Sequence, residues 1–468
     1  MAIFNNLYHE FGLHTVLNAS RNVHLIILLK SLRLFSFSSV ALINAIFLKS
    51  IGYDESMIGL LFTVTLVGDL TTTFIISMFA DKILGRRLTL FVSSIIMSFT
   101  GLYWTFCTNK NNYKALLIVS FLGTITPTGK EVGCYLSVEA SGIAQLVTSH
   151  NERSDIYSWY SVFSSLASAL GFVTTGYLIK LLTNVYDYAK IDAYRFIYLM
   201  YSAIGCLMAI SCLFLTDAVE IERVVVEDIT DAEAMLLDEN TPILHPENVL
   251  TTNINGEQNN ILPENQSFLQ KLLPQLPFHV LMLVINLSLL FGLDSLASSL
   301  AGKSWISFFF NNKFAVPSQK LGNIFFGANL ASSVTGLMTT SLVKRIGPIK
   351  TMVFTHLPSS ILLILLPLPS SWTLTVILFV ARALTQNMDN TPKKVFLATI
   401  IKPSERTLVL SWIQLVKTIA GTIGPSITGV LSLHKSQWIA FVIAGSLKVL
   451  YDIAIFVVFL KHNEKRIY

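Results

Sequence analysis

Residues 68–87 read GDLTTTFIISMFADKILGRR. The carboxylate of Asp69 lies inside a run of apolar and hydroxylated residues that is long enough to cross a bilayer as a helix. The run ends in a compact group of charges, namely Asp81, Lys82, Arg86 and Arg87. Because a carboxylate is costly in hydrocarbon and basic residues collect at cytosolic helix ends, the stretch predicts a membrane span with a functional acid.

The rest of the chain is equally apolar. Hydrophobic residues make up 53% of the 468 residues, charged residues make up 13%, and the mean hydropathy is +0.61. Apolar runs long enough for helical spans recur at 32–50, 56–79, 88–108, 114–136, 156–182, 195–216, 278–302, 320–342, 350–368, 372–391, 408–431 and 438–460. A transmembrane barrel would show shorter, alternating segments, so we predict an all-α integral membrane protein with twelve transmembrane helices.

Enzyme and cofactor motifs do not occur. The sequence contains no Gly-x-x-x-x-Gly-Lys-Ser/Thr, no His-Glu-x-x-His and no Gly-x-Ser-x-Gly, so it supports neither an ATP-driven pump nor a membrane hydrolase. Its four cysteines form no Cys-x-x-Cys pair and are interpreted as apolar packing residues. We therefore expect no enzyme activity, no cofactor, no metal and no nucleic-acid partner.

Basic residues indicate the orientation. With both termini in the cytosol, the inner connections and the C-terminal tail hold fourteen Lys and Arg residues, whereas the outer connections hold nine. This bias follows the positive-inside rule, so both termini are predicted to be cytosolic.

One long polar stretch divides the chain. Residues 217–275 contain twelve acidic residues and only two basic ones, and a charged, weakly apolar segment of this kind predicts a disordered linker. The excess of positive charge elsewhere is compatible with anionic substrates and equally with cytosolic loops that face anionic lipid. The predicted domains are a cytosolic N-terminal segment (1–31), an N-terminal six-helix half (32–216), an acidic cytosolic linker (217–277), a C-terminal six-helix half (278–460) and a cytosolic tail (461–468).

The two halves contain an internal repeat. ERSDIYSWYSVFSSLASALGFVTTGYL (152–178) and ERTLVLSWIQLVKTIAGTIGPSITGVL (405–431) share nine identical residues at a constant offset of 253. The fifth span is therefore repeated as the eleventh, and VKRIGPIK (343–350) is a weaker copy of ADKILGRR (80–87). Two six-helix halves in parallel repeat are typical of a secondary transporter that moves around a midplane site.

ADKILGRR resembles the loop motif of the major facilitator superfamily, Gly-x-Leu-Ala-Asp-Arg-x-Gly-Arg-Arg, between the second and third spans. Ser77 replaces the first glycine, and one extra residue precedes Gly85. The resemblance implies a gating cluster of charges at helix ends, for which a plain positive-inside anchor is the alternative. The gating residues would be Asp81, Gly85, Arg86 and Arg87, with the repeated pairs Glu152, Arg153, Glu405 and Arg406.

The chain is also similar to a fungal branch of this superfamily. The blocks that carry this similarity include LVGDL, TPTGKEVG, LSVEASGIAQL, RSDIYSWYS and TQNMDNTPKK, and they extend from about residue 30 to 431. The resemblance implies the major facilitator fold and a multi-pass transporter of small molecules.

Thirteen charged residues fall within or at the edges of predicted spans, where each costs about 2.5–3.5 kcal/mol and should face the bundle interior. They are Lys30, Arg33, Asp69, Lys130, Glu131, Glu139, Asp294, Lys303, Arg382, Asp389, Lys417, Lys448 and Asp452. The proton-coupling candidates are Asp69, Glu131 and Asp294, because a carboxylate in low dielectric can hold and release a proton as its surroundings change. For Asp69 the alternative is a permanent ion pair with Arg33 or Lys30.

Helical spacing selects residues for substrate binding. Arg382, Gln386 and Asp389 share one helix face, and Gln414 and Lys417 share another. Helices one, four, seven and ten line the cavity in this superfamily, so the resemblance implies that such polar faces look inward. The substrate-binding candidates are Arg33, Asn44, Arg382, Gln386 and Lys417. The guanidinium groups of the two arginines favour an anionic or zwitterionic substrate.

Other membrane charges receive structural interpretations. Lys448 and Asp452, spaced i and i+4, are predicted to pair with each other, and Asp389 with Lys393. Glu139 is expected close to the inner surface, where its charge is inexpensive.

Two more expectations concern the C-terminal half. Lys303 lies roughly 180° around the seventh helix from Asp294, so the two are not expected to face one cavity. His356 is interpreted as a hydrogen-bonded core histidine, with titration as the alternative.

The linker carries a possible address. DENTPIL (238–244) resembles the acidic dileucine signal that cytosolic adaptors read, with Glu239 as the acid and Ile243 and Leu244 as the apolar pair. A vacuolar membrane is therefore favoured over the plasma membrane. We expect a monomeric, proton-coupled transporter whose partners are a small-molecule substrate, membrane lipid and a sorting adaptor. The alternative is a membrane sensor that keeps the transporter fold but moves nothing.

Overall fold

The computed structural model describes residues 13–79, 85–123, 125–126, 134–147, 149–220, 278–401 and 406–464, and in these ranges it is helical without β-strands. The chain forms two units, one of residues 1–220 and 284–468 and the other of residues 221–283. The second unit is described only over residues 278–283, which are helical. All contacts given below lie within the first unit.

The N-terminal half contains eight α-helices and two short 3₁₀ turns, at Lys110–Asn112 and Asp217–Val219, in its described residues. The helices are α1 (Leu13–Leu17), α2 (Arg21–Ile51), α3 (Glu55–Phe79), α4 (Arg86–Phe106), α5 (Tyr113–Leu122), α6 (Cys134–Leu146), α7 (His150–Asn184) and α8 (Lys190–Leu213). Helix α2 begins at Arg21, well before the predicted start at residue 32, and Lys30 in this additional segment is buried.

The C-terminal half also contains eight helices in the part that is described. They are α9 (Phe278–Leu300), α10 (Lys303–Phe314), α11 (Ser318–Ile346), α12 (Pro348–Leu365), α13 (Trp372–Thr385), α14 (Asn390–Ile400), α15 (Arg406–Leu433) and α16 (Gln437–Glu464). Helices α9 and α10 follow each other as one crossing, and so do α13 and α14.

Twelve crossings account for these helices. Among the described residues, eight helical segments are long and apolar enough to cross a membrane, with α9 and α10 counted together. Helices α11 and α15 have the length, 29 and 28 residues, but carry more polar side chains. The pairs α5 with α6 and α13 with α14 supply the other two. The predicted all-α fold with twelve transmembrane helices is confirmed.

Repeated glycines join the two halves. A Cβ atom on Gly322 of α11 would lie 2.5 Å from the Phe172 carbonyl oxygen and 3.2 Å from the Cα atom of Gly176 on α7. A Cβ atom on Gly429 of α15 would lie 2.8 Å from the Cα atom of Gly59 on α3. Gly176 and Gly429 are equivalent in the internal repeat, so the same close backbone crossing is used on both sides of the molecule.

Further contacts join the halves between α2 and α10. The Ser304 hydroxyl donates to the Ala41 carbonyl at 2.9 Å, and the Ser307 hydroxyl donates to the Leu42 carbonyl at 2.5 Å. We call this end of the bundle, which carries the connections at 52–54, 185–189 and 315–317, the outer end, following the orientation predicted from Lys and Arg. The two halves are therefore held together at the outer end.

Candidate substrate cavity

A cavity of about 590 Å³ lies between the two halves. The N-terminal half lines it with uncharged residues, which are Leu34, Leu66, Ser165, Ser168 and Phe172. The C-terminal half supplies every ionisable side chain of the described lining, namely Asp294, Lys303, His356, Arg382, Asp389, Lys393, Lys417 and Lys448. Its volume is within the range of small-molecule sites.

Asp294 on α9 is the centre of an ion-pair network in this lining. Its carboxylate lies 2.7 Å from the Lys393 ammonium on α14 and 2.6 Å from the Lys448 ammonium on α16. Lys393 also pairs with Asp389, as predicted from sequence, and Lys448 donates to the Ser298 hydroxyl at 2.8 Å. Three crossings therefore meet at one carboxylate through charge-assisted hydrogen bonds.

His356 on α12 connects this network to Asp452 on α16. Its Nδ1 atom lies 2.8 Å from the Asp452 carboxylate, to which the Ser360 hydroxyl also donates at 3.1 Å. The predicted pair of Lys448 with Asp452 is therefore wrong, because the two side chains reach different neighbours on α9 and α12. His356 is buried and hydrogen-bonded, yet it also lines the cavity, with Nε2 3.5 Å from the Lys448 ammonium.

Lys303 and Asp294 both line the cavity, contrary to the expectation from helical spacing. The seventh crossing is not one continuous helix, because α9 ends at Leu300 and α10 begins at Lys303. Gly302 between them is extended, with φ −61° and ψ 154°. The break changes the rotation of the second segment, and the Lys303 ammonium reaches 4.9 Å from the centre of the Phe172 ring.

The substrate candidates from the C-terminal half all line the cavity. Arg382 and Gln386 do so from the tenth crossing and Lys417 from α15. Arg382 is only 8% exposed, and its Nε atom has no hydrogen-bond partner in the described residues.

Arg33 and Asn44 are located elsewhere, inside the N-terminal half. Arg33 is 0% exposed and donates to both oxygens of Glu139, at 2.6 and 2.8 Å, while the Tyr160 hydroxyl donates to the same carboxylate at 2.5 Å. Asn44 accepts a hydrogen bond from the Tyr198 hydroxyl at 3.0 Å. The expectation that Glu139 lies near the inner surface is wrong, because the guanidinium compensates its charge inside the bundle.

Asp69 on α3 is partly buried and is not among the cavity-lining residues. Its Oδ2 atom is buried without a hydrogen-bond partner among the described residues. The alternative ion pair with Arg33 or Lys30 does not form, because Arg33 pairs with Glu139 and the Lys30 ammonium packs 3.7 Å from the centre of the Tyr160 ring. Glu131 lies outside the described residues.

The described part of the gating motif contacts the start of the acidic linker. The Glu220 carboxylate accepts hydrogen bonds from the backbone N–H groups of Arg86, at 2.7 Å, and Arg87, at 2.9 Å. The Arg86 guanidinium donates to the Val219 carbonyl at 3.0 Å, and Arg87 pairs with Asp217. A carboxylate at a helix N-terminus is favourable, so residues 217–220 belong to the N-terminal half and not to the linker.

The remaining predicted residues fall into two groups. Glu152 is exposed, and Arg153 donates from Nε to the Val147 carbonyl at 2.8 Å. Gly85 has φ +76°, a left-handed conformation that suits glycine. Outside the description lie Asp81, Glu405, the side chain of Arg406, and the sorting residues Glu239, Ile243 and Leu244.

Comparison with known proteins agrees with this architecture. The sequence model described as Major Facilitator Superfamily matches residues 26–292 and 287–467. The uncharacterized membrane protein YJR124C of Saccharomyces cerevisiae is 29% identical over 457 residues, which cover 96% of each chain.

Solved structures show the same fold. The D-xylose-proton symporter has a TM-score of 0.64 at 13% identity, covering 93% of this chain and 97% of its own. The nucleoside transporter NupG has a TM-score of 0.63 at 12% identity, covering 94% and 99%. A bacterial homologue of the iron transporter ferroportin, in an inward-facing state, has a TM-score of 0.65 at 11% identity, covering 93% and 98%. The chain therefore belongs to the Major Facilitator Superfamily, and it is a multi-pass membrane transporter rather than an enzyme.

Proposed function

We propose that the protein moves a small anionic solute through this cavity by alternating access, together with protons. The observation that carries the proposal is the charge of the lining. Five cationic side chains line the cavity against two carboxylates, and all of them come from one half. A cavity of one dominant sign in low dielectric concentrates solutes of the opposite sign.

Asp294 is the proposed coupling group. Its charge is compensated by Lys393 and Lys448. An anionic solute in the same cavity would draw one of these lysines away from Asp294, and the carboxylate would then be neutralised by a proton. Anion and proton would consequently be bound and released together. Asp69 is a second candidate, because one of its oxygens has no partner among the described residues.

The contacts between the halves support an inward-facing conformation. Ser304 and Ser307 hydrogen-bond to α2, and Gly59 meets Gly429, on the outer side in the predicted orientation. Alternating access requires these contacts to separate while the opposite side closes.

The proposed address is the vacuolar membrane, with the plasma membrane as the alternative, and the chain is proposed to act as a monomer. Glu239, Ile243 and Leu244 would bind a sorting adaptor as an extended peptide. Changing Ile243 and Leu244 to alanine should move a tagged protein to the cell surface without changing its amount. If the tagged parent already resides at the surface and the double variant has the same distribution, the segment has no sorting role.

Proton flux in reconstituted vesicles tests the function. The full chain is incorporated into vesicles that contain a pH-sensitive dye, and a panel of organic anions is added outside. An anion gradient should acidify the interior, and Asp294→Asn should remove the dye response without reducing the amount of inserted protein. Asp187→Asn, on an outer connection, is the matched control. A protein that produces no flux with any solute would instead be the non-transporting sensor.

A further inference from the structure

We infer that the transported solute is an organic dianion, whose two negative charges are met by Arg382 and Lys417. This inference rests on the proposed transport of an anion and narrows the class of that anion. It follows from separating the cavity cations that have a contact partner within the protein from those whose side chains have neither an ion pair nor a hydrogen bond in the described residues.

Arg382 provides the first unmatched charge. Its side chain lines the cavity, is 8% exposed and forms no ion pair among the described residues. Removing a charge from water costs several kcal/mol unless a partner compensates it. A guanidinium is always charged and offers paired donors that match a carboxylate or phosphate, so an anionic group on the solute is the natural partner.

Lys417 provides the second unmatched charge. Its ammonium also lines the cavity and lies 5.9 Å from the centre of the Phe291 ring, with no ion pair in the part of the chain that is described. Arg382 and Lys417 belong to different crossings, the tenth and the eleventh. A solute that spans both would carry its charges on separate groups or on one doubly charged group.

The other charges of the lining are matched within the protein. Asp294 and Asp389 are held by Lys393, and Lys448 also pairs with Asp294. No carboxylate of the described lining is left over for an ammonium group, which disfavours a zwitterion. Lys303 packs against the Phe172 ring and has a further contact within the protein. In the described lining, Arg382 and Lys417 are therefore the two cations whose side chains have neither an ion pair nor a hydrogen bond, and no acid is unmatched.

Aromatic rings of the lining accommodate the carbon skeleton. Three phenylalanine rings form a continuous apolar surface. The centre of the Phe325 ring lies 5.2 Å from that of Phe172 and 5.1 Å from that of Phe379. Hydroxyl groups from Ser165 and Ser168 adjoin it in the lining. The shared chemistry of the solute is two negative charges on a small organic body, which either a dicarboxylate or a phosphate monoester supplies.

Thermal unfolding of the solubilised full chain tests the inference, because a ligand that binds the folded state raises the melting temperature. The first arm compares linear dicarboxylates from succinate to suberate with their monoamides and diamides at matched ionic strength. The second arm compares glycerol 3-phosphate with its methyl diester and with glycerol. At least one dianion should raise the melting temperature, and its monoanionic and neutral analogues should not. The arm that responds identifies the source of the charge.

Variants decide whether the two cations are responsible. Arg382→Gln and, independently, Lys417→Gln should weaken dianion binding by about tenfold to a hundredfold, the value of one charged hydrogen bond, and should bring the monoanion level with the dianion. Lys180→Gln, exposed at the outer end of α7, should leave the preference unchanged. Using both variants keeps the test valid if one of them fails to fold.

Three results would overturn the inference. They are a monoanion or neutral analogue that binds as well as its dianion, a dianion preference that survives in both variants, and no response to any dianion. Proton flux driven by a monoanion would refute the inference that the solute is a dianion, while leaving the proposed function intact. The absence of flux with every solute would refute the proposed function itself.

Discussion

The two halves of the molecule each contain a buried ionic cluster, and the two clusters differ in their access to the cavity. In the N-terminal half, Arg33 and Glu139 are both 0% exposed and are sealed among helices. In the C-terminal half, Asp294 and its two lysines form part of the cavity wall. Chemically similar ion pairs therefore differ in position, and we propose that the sealed pair maintains the fold, whereas the pairs in the wall exchange partners with a solute.

Breaking each cluster should separate these roles most clearly. Glu139→Gln leaves Arg33 charged without its partner inside the bundle, so the free energy of unfolding should fall by about 3–5 kcal/mol. Asp294→Asn should cost less stability, because Lys393 retains Asp389 and Lys448 retains the Ser298 hydroxyl as partners, but it should abolish proton-coupled transport.

Denaturation in detergent and flux in vesicles measure the two effects on the same preparations. The comparison fails if Glu139→Gln retains the stability of the parent and loses transport, since the N-terminal cluster would then be the functional one.

The glycine crossings offer a second, smaller effect. Gly322→Ala would place a Cβ atom 2.5 Å from the Phe172 carbonyl oxygen, so the two halves must separate at the outer end or lose about 1–3 kcal/mol of stability. Gly327→Ala, on the same helix with no atom within 4 Å, is the control. Labelling of a cysteine introduced at Ser304 should increase in Gly322→Ala only. Equal labelling in both variants would show that this crossing does not hold the outer end closed.

The smallest expected effect concerns substrate affinity. Arg382→Lys keeps the charge but loses the planar pair of donors, so the apparent KM should rise by about tenfold. Arg33→Lys should leave KM unchanged and lower the melting temperature, because Arg33 pairs with Glu139 and is not among the cavity-lining residues. A rise in KM for Arg33→Lys with unchanged stability would place Arg33 in the transport path and contradict the distinction between the clusters.

Sequence reasoning identified the fold because twelve apolar runs recur along the chain and an internal repeat divides them into two halves. It also selected Arg382, Gln386 and Lys417, which line the cavity. It could not separate them from Arg33, because a buried charge has the same signature whether its partner is protein or solute. Helical spacing gives relative directions only, and it is Leu34, the next residue on α2, that faces the cavity.

Two other differences have local causes. Lys303 was assigned to the wrong face, because spacing assumes a continuous helix and the chain breaks at Ala301 and Gly302. Glu220 was missed, because it was counted with the acidic linker. The available signal was its position directly after the sixth span, on the same predicted cytosolic side as the motif that ends in two arginines.

The carboxylate of Glu220 determines where this transporter can be divided. Since Glu220 binds the first amides of α4 and Asp217 pairs with Arg87, the end of the sixth crossing is an integral part of the N-terminal half. Two separately expressed halves would keep these contacts only if the chain is cut after Glu220. A cut after residue 216 would leave the N-terminus of α4 without its cap on one fragment, because Asp217 and Glu220 would belong to the other fragment.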